Sequence, residues 1–356
     1  MTTFALPSPR PWLAAGAAAL CLAASAVRAQ ASAAPLHLRI VGGLAGVNQF
    51  TRHEEPFWTR EVPRLTSGRV TAEIVPYDRA GIRGQEMLRL IQLGAVPFGT
   101  TLLNVSSPQD PELALADLAA MNPDIGALRR TVAAFRPYLQ RTLRERYGAE
   151  LLAVYTYPAQ VFFCTKALAG LADLKGRRVR TSNSSQSDLV EVLGGTPVPT
   201  SFSDIVANVR SGNIDCAITG AMSGNTIGLH EVTTSIYSMP ITWGLAAFVA
   251  NGAAWAALPA EVRATLQREL PKLESAVWEE SGRETVEGIA CNIGAASCQA
   301  GRKGSMREVR PEPADEARRR ELLVSTVLPR WIQRCGPSCA QVWKQTVGPV
   351  VGIEPR

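Results

Sequence analysis

Two long apolar stretches constrain the fold of this 356-residue chain more than any other feature. The first, LLAVYTYPAQVFFCTK, covers residues 151–166 and is interrupted only by Pro158, and the second, MPITWGLAAFVAN, covers residues 239–251. Both are rich in β-branched and aromatic residues, and both are unusually long for one strand. We therefore predict that each stretch leaves one sheet and enters another. Two lobes with more than one connection between them would result.

Strand-like and helical patterns alternate along the rest of the chain. A period near two marks a strand at residues 69–76, whereas apolar residues three or four apart mark a long helix at 124–147, ended by Gly148. A second long helix is predicted from Pro259 onward. This alternation favours an α/β fold with mostly parallel sheets. Crossing strands and a long lobe-spanning helix are typical of a clamshell like that of the periplasmic binding proteins.

The N-terminal segment has the pattern of a secretory signal peptide. Arg10 is followed by an apolar run at residues 12–24, and Val-Arg-Ala at 27–29 offers a small-residue cleavage site. We predict that residues 1–29 are the signal peptide. Cys21 lies inside the apolar run, so a lipid anchor is not expected. No later stretch reaches the roughly 18 apolar residues of a membrane span. A soluble protein of the bacterial periplasm is the expectation.

Composition and motifs argue against several functional classes. Removing Arg10 and Arg28 with the leader lowers the formal charge from +6 to +4, and no basic tract or aromatic platform indicates a nucleic-acid partner. The sequence HEEPF at 53–57 lacks the second histidine of a zinc protease motif, and GGLAG at 42–46 matches neither nucleotide-binding loop. No G-x-S-x-G is present. We expect no cofactor, no metal and no enzymatic activity, and a secreted hydrolase is the alternative.

Six cysteines follow the predicted leader. In an oxidising compartment, the short separations of Cys291 from Cys298 and of Cys335 from Cys339 predict two small disulfide loops. The second pair lies in RCGPSC, where the spacing is C-x-x-x-C rather than the C-x-x-C of redox enzymes. Cys164 and Cys216 lie in apolar, strand-like runs, and we interpret them as buried, unreactive thiols.

Five segments, in this order, carry a resemblance to a known family: SGRVTAEIVPYDRAG, GQEMLRLIQLGAV, LADLKGRRVRTSNS, GGTPVPTSFSDIVANVRSGNIDCAITG and AAWAALPAEVRATL. In order and spacing the chain resembles the solute-binding proteins of TRAP (tripartite ATP-independent periplasmic) transporters, of the C4-dicarboxylate-binding type, over nearly all of its length after the leader. The resemblance implies a receptor that captures a small organic acid between two lobes. It also implies delivery of that acid to the small and large integral-membrane permease subunits.

The lobes are assigned from the two crossovers. Lobe I comprises residues 30–157 plus 246–285, and lobe II comprises 158–245 plus 286–356. We expect the protein to act as a monomer. The alternative is a carboxylate-binding protein of the ABC type or one associated with a sensor, because a shared fold does not distinguish these partners.

The segment DLKGRRVRT places Arg180 at the carboxyl end of a short strand, the edge where open parallel sheets bind their ligands. A guanidinium there can hold a carboxylate with two parallel hydrogen bonds, which lysine cannot do. The resemblance implies that Arg180 binds the carboxylate of the solute. The charges at the start of the strand, Lys175, Arg177 and Arg178, are expected in solvent.

The resemblance implies three further ligand contacts: Asn183, Phe202 and Thr219. The alternatives are that Asn183 forms a turn and that Phe202 is a core anchor. Gln160 stands where relatives that bind large sugar acids have a second arginine, so a sialic-acid-type ligand is disfavoured. Tyr157 and Trp243, at the crossovers, are candidates for an apolar wall around a small organic or aromatic acid, with hinge packing as the alternative.

Overall fold

The structure, a computed structural model, describes residues 1–3, 5, 35–106 and 109–354. The predicted signal peptide, including Cys21, lies almost wholly outside the described residues. Residues from Pro35 onward belong to one unit. None of the described helices combines the length and the apolar character that a membrane crossing requires.

The described residues form two separate β-sheets. The strands, in chain order, are β1 (Leu36–Gly42), β2 (Val70–Pro76), β3 (Phe98–Leu102), β4 (Ala149–Thr156), β5 (Gln160–Cys164), β6 (Arg178–Thr181), β7 (Thr196–Pro199), β8 (Cys216–Gly220), β9 (Ser235–Thr242), β10 (Leu245–Asn251) and β11 (Arg307–Val309). The first sheet has the order β2-β1-β3-β10-β4, and the second has the order β11-β9-β5-β8-β6-β7. Each sheet is the centre of one lobe.

The two long apolar stretches form the crossovers between the sheets, as predicted. The first contains β4 of one sheet and β5 of the other, and the second contains β9 and β10. The prediction of mostly parallel sheets needs correction, because β10 is antiparallel to both β3 and β4, and β5 is antiparallel to both β8 and β9. One crossover leads out of the first sheet and the other returns. The four crossing strands must therefore run in opposing directions.

Helices cover the sheets. The α-helices are α1 (Val62–Leu65), α2 (Met87–Gln92), α3 (Leu103–Ser106), α4 (Ile125–Tyr147), α5 (Ser184–Val192), α6 (Ile205–Arg210), α7 (Ala221–Thr226), α8 (Gly252–Ala257), α9 (Ala260–Asn292), α10 (Pro313–Leu322), α11 (Leu328–Cys335), α12 (Pro337–Gln345) and α13 (Val347–Val351). Short 3₁₀ turns lie at Gly84–Glu86, Pro111–Asp117, Leu171–Leu174, Phe202–Asp204 and Leu229–Glu231, and π-helical turns at Gln49–Glu54, Phe57–Glu61 and Leu323–Val327.

Helix α4 begins and ends where its sequence predicts. The side chain of Asp124 accepts a hydrogen bond from the N–H of Ala127, which satisfies one of the unpaired donors of the first turn. Gly148 then adopts a left-handed conformation (φ 56°) that ends the helix. Leu128, Phe135 and other apolar residues on one face of α4 are buried. That face packs on the core of the first sheet.

Helix α9 joins the two lobes. Near its middle, the Trp278 indole donates to the carbonyl of Val154 and Ser281 donates to the carbonyl of Thr156, both in β4. Farther along, a side chain at Gly288 would lie 2.3 Å from the backbone nitrogen of Met222 in α7, which belongs to the second lobe. Only glycine allows this close helix approach. The predicted lobe-spanning helix is confirmed, whereas the lobe boundaries at single residues stay a prediction.

Three disulfides are present in the described residues. Cys291–Cys298 and Cys335–Cys339 form the predicted short loops. The interpretation of Cys164 and Cys216 as free thiols is wrong, because these residues are also joined. They are directly opposite each other in the antiparallel pair β5–β8, with Cα atoms 4.1 Å apart. Cross-strand neighbours at this separation place their sulfur atoms within bonding reach.

Candidate ligand-binding site

A cavity of about 500 Å³ lies between the two sheets. Residues that follow or end strands of both sheets line it, together with residues of the two crossovers. On the side of the second sheet, the lining includes the carboxyl ends of the parallel strands β6, β7 and β8. Ligands of open α/β sheets bind at this edge. The topology therefore places a ligand-sized space between the lobes.

Arg180 is the buried charge of this cavity. Its side chain is only 4% exposed. Nε donates to the carbonyl of Thr200 (3.0 Å), and Nη1 donates to the carbonyl of Ile218 (2.6 Å). A guanidinium carries five N–H groups, so these two bonds fix the plane of the group and leave the Nη2 side available. Two backbone carbonyls thus hold the cation in position without neutralising it.

Burial lowers the pKa of Arg180 to about 10, and nearby Tyr77 opposes this shift. The guanidinium therefore stays charged at neutral pH. Tyr77 follows β2 and lines the cavity from the first sheet, and burial raises the pKa of its hydroxyl, which stays neutral. A neutral phenol and a charged guanidinium facing one space suit an anionic ligand that also makes apolar contacts.

The other charged residues of the cavity lie at its rim. Arg83 is 80% exposed and pairs with Glu86. Asp78 is exposed, and its Oδ1 accepts from the N–H of Ala45 (3.1 Å). Within the described residues, Arg180 is thus the buried cation of the lining, and no carboxylate bonds to it.

The cavity brings together five of the residues that the sequence singled out. Arg180, Thr219, Gln160, Tyr157 and Phe202 all line it. Thr219 is on β8 and Gln160 begins β5, while Phe202 opens the 3₁₀ turn after β7 and is half-buried. Because they come from separate strand ends, only the fold makes them neighbours.

The chain matches the family described as bacterial extracellular solute-binding protein, family 7, over residues 48–291. This match covers more than half of the chain and includes both crossovers, the Arg180 strand and nearly all of α9. The chain belongs to this family. Its members are solute-binding proteins and not enzymes, so the expectation of no enzymatic activity is confirmed, as is the resemblance to TRAP receptors.

Solved structures of TRAP-type receptors share the fold. A Bordetella pertussis extracytoplasmic solute receptor binding pyroglutamic acid has a TM-score of 0.74 and 22% identity, covering 87% of this chain and 98% of its own. A Shewanella oneidensis protein with bound succinate has a TM-score of 0.75, 17% identity and coverages of 88% and 99%. A Rhodoferax ferrireducens protein with bound malonate has a TM-score of 0.77, 16% identity and coverages of 88% and 98%. The predicted clamshell fold is confirmed.

Two residues that the sequence singled out in this family-7 receptor lie beside the cavity rather than on its lining. Asn183 is the N-cap of α5, and its Oδ1 accepts from the N–H of Gln186 (3.0 Å). Trp243 is 2% exposed, and its indole donates to the carbonyl of Asn122 (3.1 Å). Asn183 therefore caps a helix and Trp243 packs inside the protein, and a contact of either with a ligand stays a prediction.

Asp117 holds the returning crossover, the segment between β9 and β10, by hydrogen bonds to its backbone. Its carboxylate accepts from the N–H groups of Trp243 (3.0 Å) and Gly244 (2.7 Å). Burial raises the pKa of Asp117 to about 7, although these backbone donors oppose the shift. Gly244 has φ of 83°, and a side chain there would lie 2.8 Å from Nε2 of Gln160. The crossover at this point therefore requires glycine and is held by one buried acid.

The charges at the start of the Arg180 strand are only partly as expected, because two of them form specific bonds. Arg178 forms a two-bond pair with Asp215, at 2.8 and 3.0 Å. Arg177 donates to the carbonyls of Asp173, Lys166 and Ala167. Arg178 is exposed as expected, although it is paired with Asp215, whereas Arg177 is only partly exposed because these backbone carbonyls hold its guanidinium. Lys175 is exposed as expected.

Sequence reasoning missed Tyr77 and Gln186. Tyr77 follows directly after β2, so its place at the carboxyl end of a parallel strand was a usable signal. Gln186 is a wholly buried residue of α5 that bonds to residues of three other segments. No local pattern marks it.

One group of three potential metal ligands occurs in the described residues: Glu112, Cys335 and Cys339. Both sulfur atoms are joined in a disulfide and so are not thiolate ligands. None of the three lines the cavity.

Proposed function

We propose that this protein is an extracytoplasmic receptor for a small organic acid, whose carboxylate is held by Arg180 between the two lobes. After removal of residues 1–29, it acts as a monomer in the periplasm. It delivers its ligand to the small and large membrane subunits of a TRAP transporter. Membership of the solute-binding family supports the general role, and the cavity supports the chemistry of the ligand.

The buried state of Arg180 is the observation that carries this proposal. A cation that is 4% exposed has lost most of its hydration, and its two carbonyl partners carry no net charge. Such a group is strongly stabilised by an anion that fills the remaining N–H sites. A carboxylate matches the planar guanidinium in shape and can accept two parallel hydrogen bonds.

The ligands named for similar structures agree with this chemistry. Pyroglutamate, succinate and malonate differ in shape, but each has a carboxylate and is small. A cavity of about 500 Å³ lies in the usual range for small-molecule sites and encloses acids of this size. The shared group is therefore the carboxylate, and the remainder of the cavity sets the choice among acids.

Other residues contribute in two ways. Phe202, Thr219, Tyr157 and Gln160 contact the body of the ligand from the cavity lining. Asn183 and Trp243 act indirectly, since the first caps the helix after the Arg180 strand and the second packs the returning crossover.

The test is a thermal-shift screen of the purified protein with pyroglutamate, succinate, malonate and orotate, each beside a neutral amide of similar shape. A ligand at 100 times its Kd stabilises the folded state by about 2.7 kcal/mol and raises Tm accordingly. We expect at least one acid to raise Tm and its amide to leave Tm unchanged. Stabilisation by neutral compounds or sugars, with none by acids, contradicts the proposal.

Ligand capture also predicts closure of the lobes around the cavity. Binding of one ligand by both lobes favours the closed population over the open one. Small-angle scattering with and without a saturating acid measures this change. We expect a smaller radius of gyration in the bound state, and an unchanged radius at saturation argues against closure.

A further inference from the structure

A buried glutamine connects three segments at the inner wall of the cavity. Gln186 of α5 is fully buried. Its Oε1 accepts from the backbone N–H of Ser182 (2.9 Å). Its Nε2 donates to Oε1 of Gln160 (2.6 Å) and to Oγ1 of Thr242 (2.8 Å). The loop after the Arg180 strand is thereby linked to both crossovers.

The orientation of both amide groups follows from one donor. A backbone N–H can only donate, so the group of Gln186 that faces Ser182 must be its oxygen. Its NH₂ group then faces Gln160, so the Gln160 atom that accepts this hydrogen bond must be the amide oxygen. Thr242 reinforces the result, because its hydroxyl also donates to Oε1 of Gln160 (3.0 Å). The NH₂ group of Gln160 is therefore turned away from this network.

The turned NH₂ group of Gln160 lies on the cavity side. Its Nε2 would be 2.8 Å from a side chain at Gly244, and both residues line the cavity. Among the described residues, the hydrogen bonds of Gln160's side chain all use its oxygen. The cavity thus contains a fixed, neutral donor in addition to the guanidinium of Arg180.

The charges of the lining limit what this donor can bind. Arg180 is the buried cation, whereas Arg83 is paired and 80% exposed, and Asp78 adds a negative charge at the rim. One ligand carboxylate is balanced by Arg180. A second carboxylate in the interior would lose its hydration without gaining a cation, which is unfavourable. A neutral acceptor, such as a carbonyl oxygen, matches an amide NH₂ at no such cost.

We propose that Gln186 is a positioning residue that turns the amide NH₂ of Gln160 into the cavity, and that the ligand is a monocarboxylate bearing a carbonyl or similar neutral acceptor. This proposal rests on the proposed function, because it assumes that Arg180 binds the carboxylate. It adds the class of acid, and it excludes a dicarboxylate as the preferred ligand.

The test compares matched acids that differ only in the acceptor. Isothermal titration calorimetry measures Kd for pyroglutamate against cyclopentanecarboxylate, and for 4-oxopentanoate against pentanoate, with succinate as the dicarboxylate. For the wild-type protein we expect the acceptor-bearing acid of at least one pair to bind roughly tenfold more tightly than its partner. We also expect it to bind more tightly than succinate.

Two variants assign that preference to the network. Gln160→Met removes the donor at similar side-chain volume and should abolish the preference while leaving the plain acids nearly unaffected. Gln186→Met leaves the donor but frees its orientation, so the preference should fall to roughly threefold. Gln85→Met is the matched control, because Gln85 is an exposed glutamine of the same cavity, and it should leave the ratio unchanged. Thermal unfolding of each variant verifies that it folds.

The outcomes separate the two proposals. If no acid binds the wild-type protein, the proposed function fails as well. If acids bind but the plain acid or succinate equals the acceptor-bearing acid, only the present inference is overturned. It is also overturned if Gln160→Met weakens both members of a pair equally, or if Gln85→Met changes the ratio as much as Gln160→Met.

Discussion

The two ends of the second sheet have opposite polar character. At the cavity end, Arg180 is buried without a carboxylate partner, and Gln160 lines the cavity with its amide nitrogen near Gly244. At the other end, Arg178 pairs with Asp215, and Cys164 is bonded to Cys216. The same few strands supply both ends. At the cavity end these polar groups remain available to a ligand, whereas at the other end they are paired with other residues of the protein.

This difference distinguishes charges that stabilise the fold from charges that bind a ligand. Leaving a buried cation without an anion is costly, so the fold gains nothing from the state of Arg180. An exposed ion pair is nearly neutral in free energy, so Arg178 and Asp215 need no ligand. Two arginines on one short strand therefore have different roles, and the difference lies in their burial and partners. Substitutions at the two ends can test this separation.

The largest expected effect is that of Arg180→Ala on ligand binding. Once the guanidinium is removed, the ligand carboxylate enters the cavity without a partner, and binding should weaken by on the order of 2–5 kcal/mol. Titration calorimetry with the best acid from the thermal-shift screen measures this loss. Thermal unfolding of the ligand-free variant should show no decrease in stability. If Arg180→Ala binds the acid with wild-type affinity, Arg180 does not hold the ligand and the contrast between the two ends of the sheet fails.

The next effect concerns the opposite end and should appear in stability. Replacing both Cys164 and Cys216 by Ala removes a link between residues 52 apart, which should lower the free energy of unfolding by about 2–4 kcal/mol. Denaturant unfolding under non-reducing conditions measures it. Ligand affinity should stay within about twofold of wild type, because the substituted residues lie away from the cavity lining. An affinity loss as large as that of Arg180→Ala would show that the two ends are not independent.

Arg180→Lys sharpens the account of the cavity end. Lysine keeps the positive charge but cannot form two parallel hydrogen bonds with a carboxylate, nor reach both carbonyls that hold Arg180. Loss of one charge-assisted bond should weaken binding by about 1.5–3 kcal/mol, less than the loss in Arg180→Ala. The same calorimetric titration decides. If the lysine variant binds like wild type, charge alone holds the ligand and the planar geometry is unimportant.

Local pattern was sufficient for the framework of the molecule. The cap at Asp124, the stop at Gly148 and the length of the crossover stretches are properties of neighbouring residues, so the sequence displays them. The Cys164–Cys216 bond was missed because it depends on the register of β5 against β8, which are far apart in the chain. The mixed direction of the sheets was missed for a related reason, since it follows from how the crossovers return.

The same limit applies to the candidate site: features of neighbouring residues were predictable from the sequence, and contacts between distant residues were not. Arg180 is visible from the sequence because a strand end is a local feature and the edge of a parallel sheet is a common place for a ligand. The role of Gln186 depends on a backbone donor at Ser182 and an acceptor at Gln160, 26 residues away from it. Such a chain of hydrogen bonds requires coordinates. Sequence therefore located the charge of the site, whereas the orientation of its neutral donor came from the structure.

The smallest expected effect is that of Arg178→Ala, which is the matched control for Arg180. Arg178 is 46% exposed and lies at the far end of β6, so its removal should change Kd for the best acid by less than about twofold.

The effect of Arg178→Ala should appear in the pH dependence of stability. The bonds from Arg178 lower the pKa of Asp215, although burial opposes the shift. A depressed carboxyl pKa contributes stability above the pKa of the unfolded state, and that contribution is lost as pH falls through the pKa of the folded state. The difference in unfolding free energy between wild type and Arg178→Ala should therefore be small but present at pH 7 and should vanish in acid. Denaturant unfolding across this pH range measures it. A large loss of affinity in Arg178→Ala at pH 7 would mean that both arginines serve the ligand.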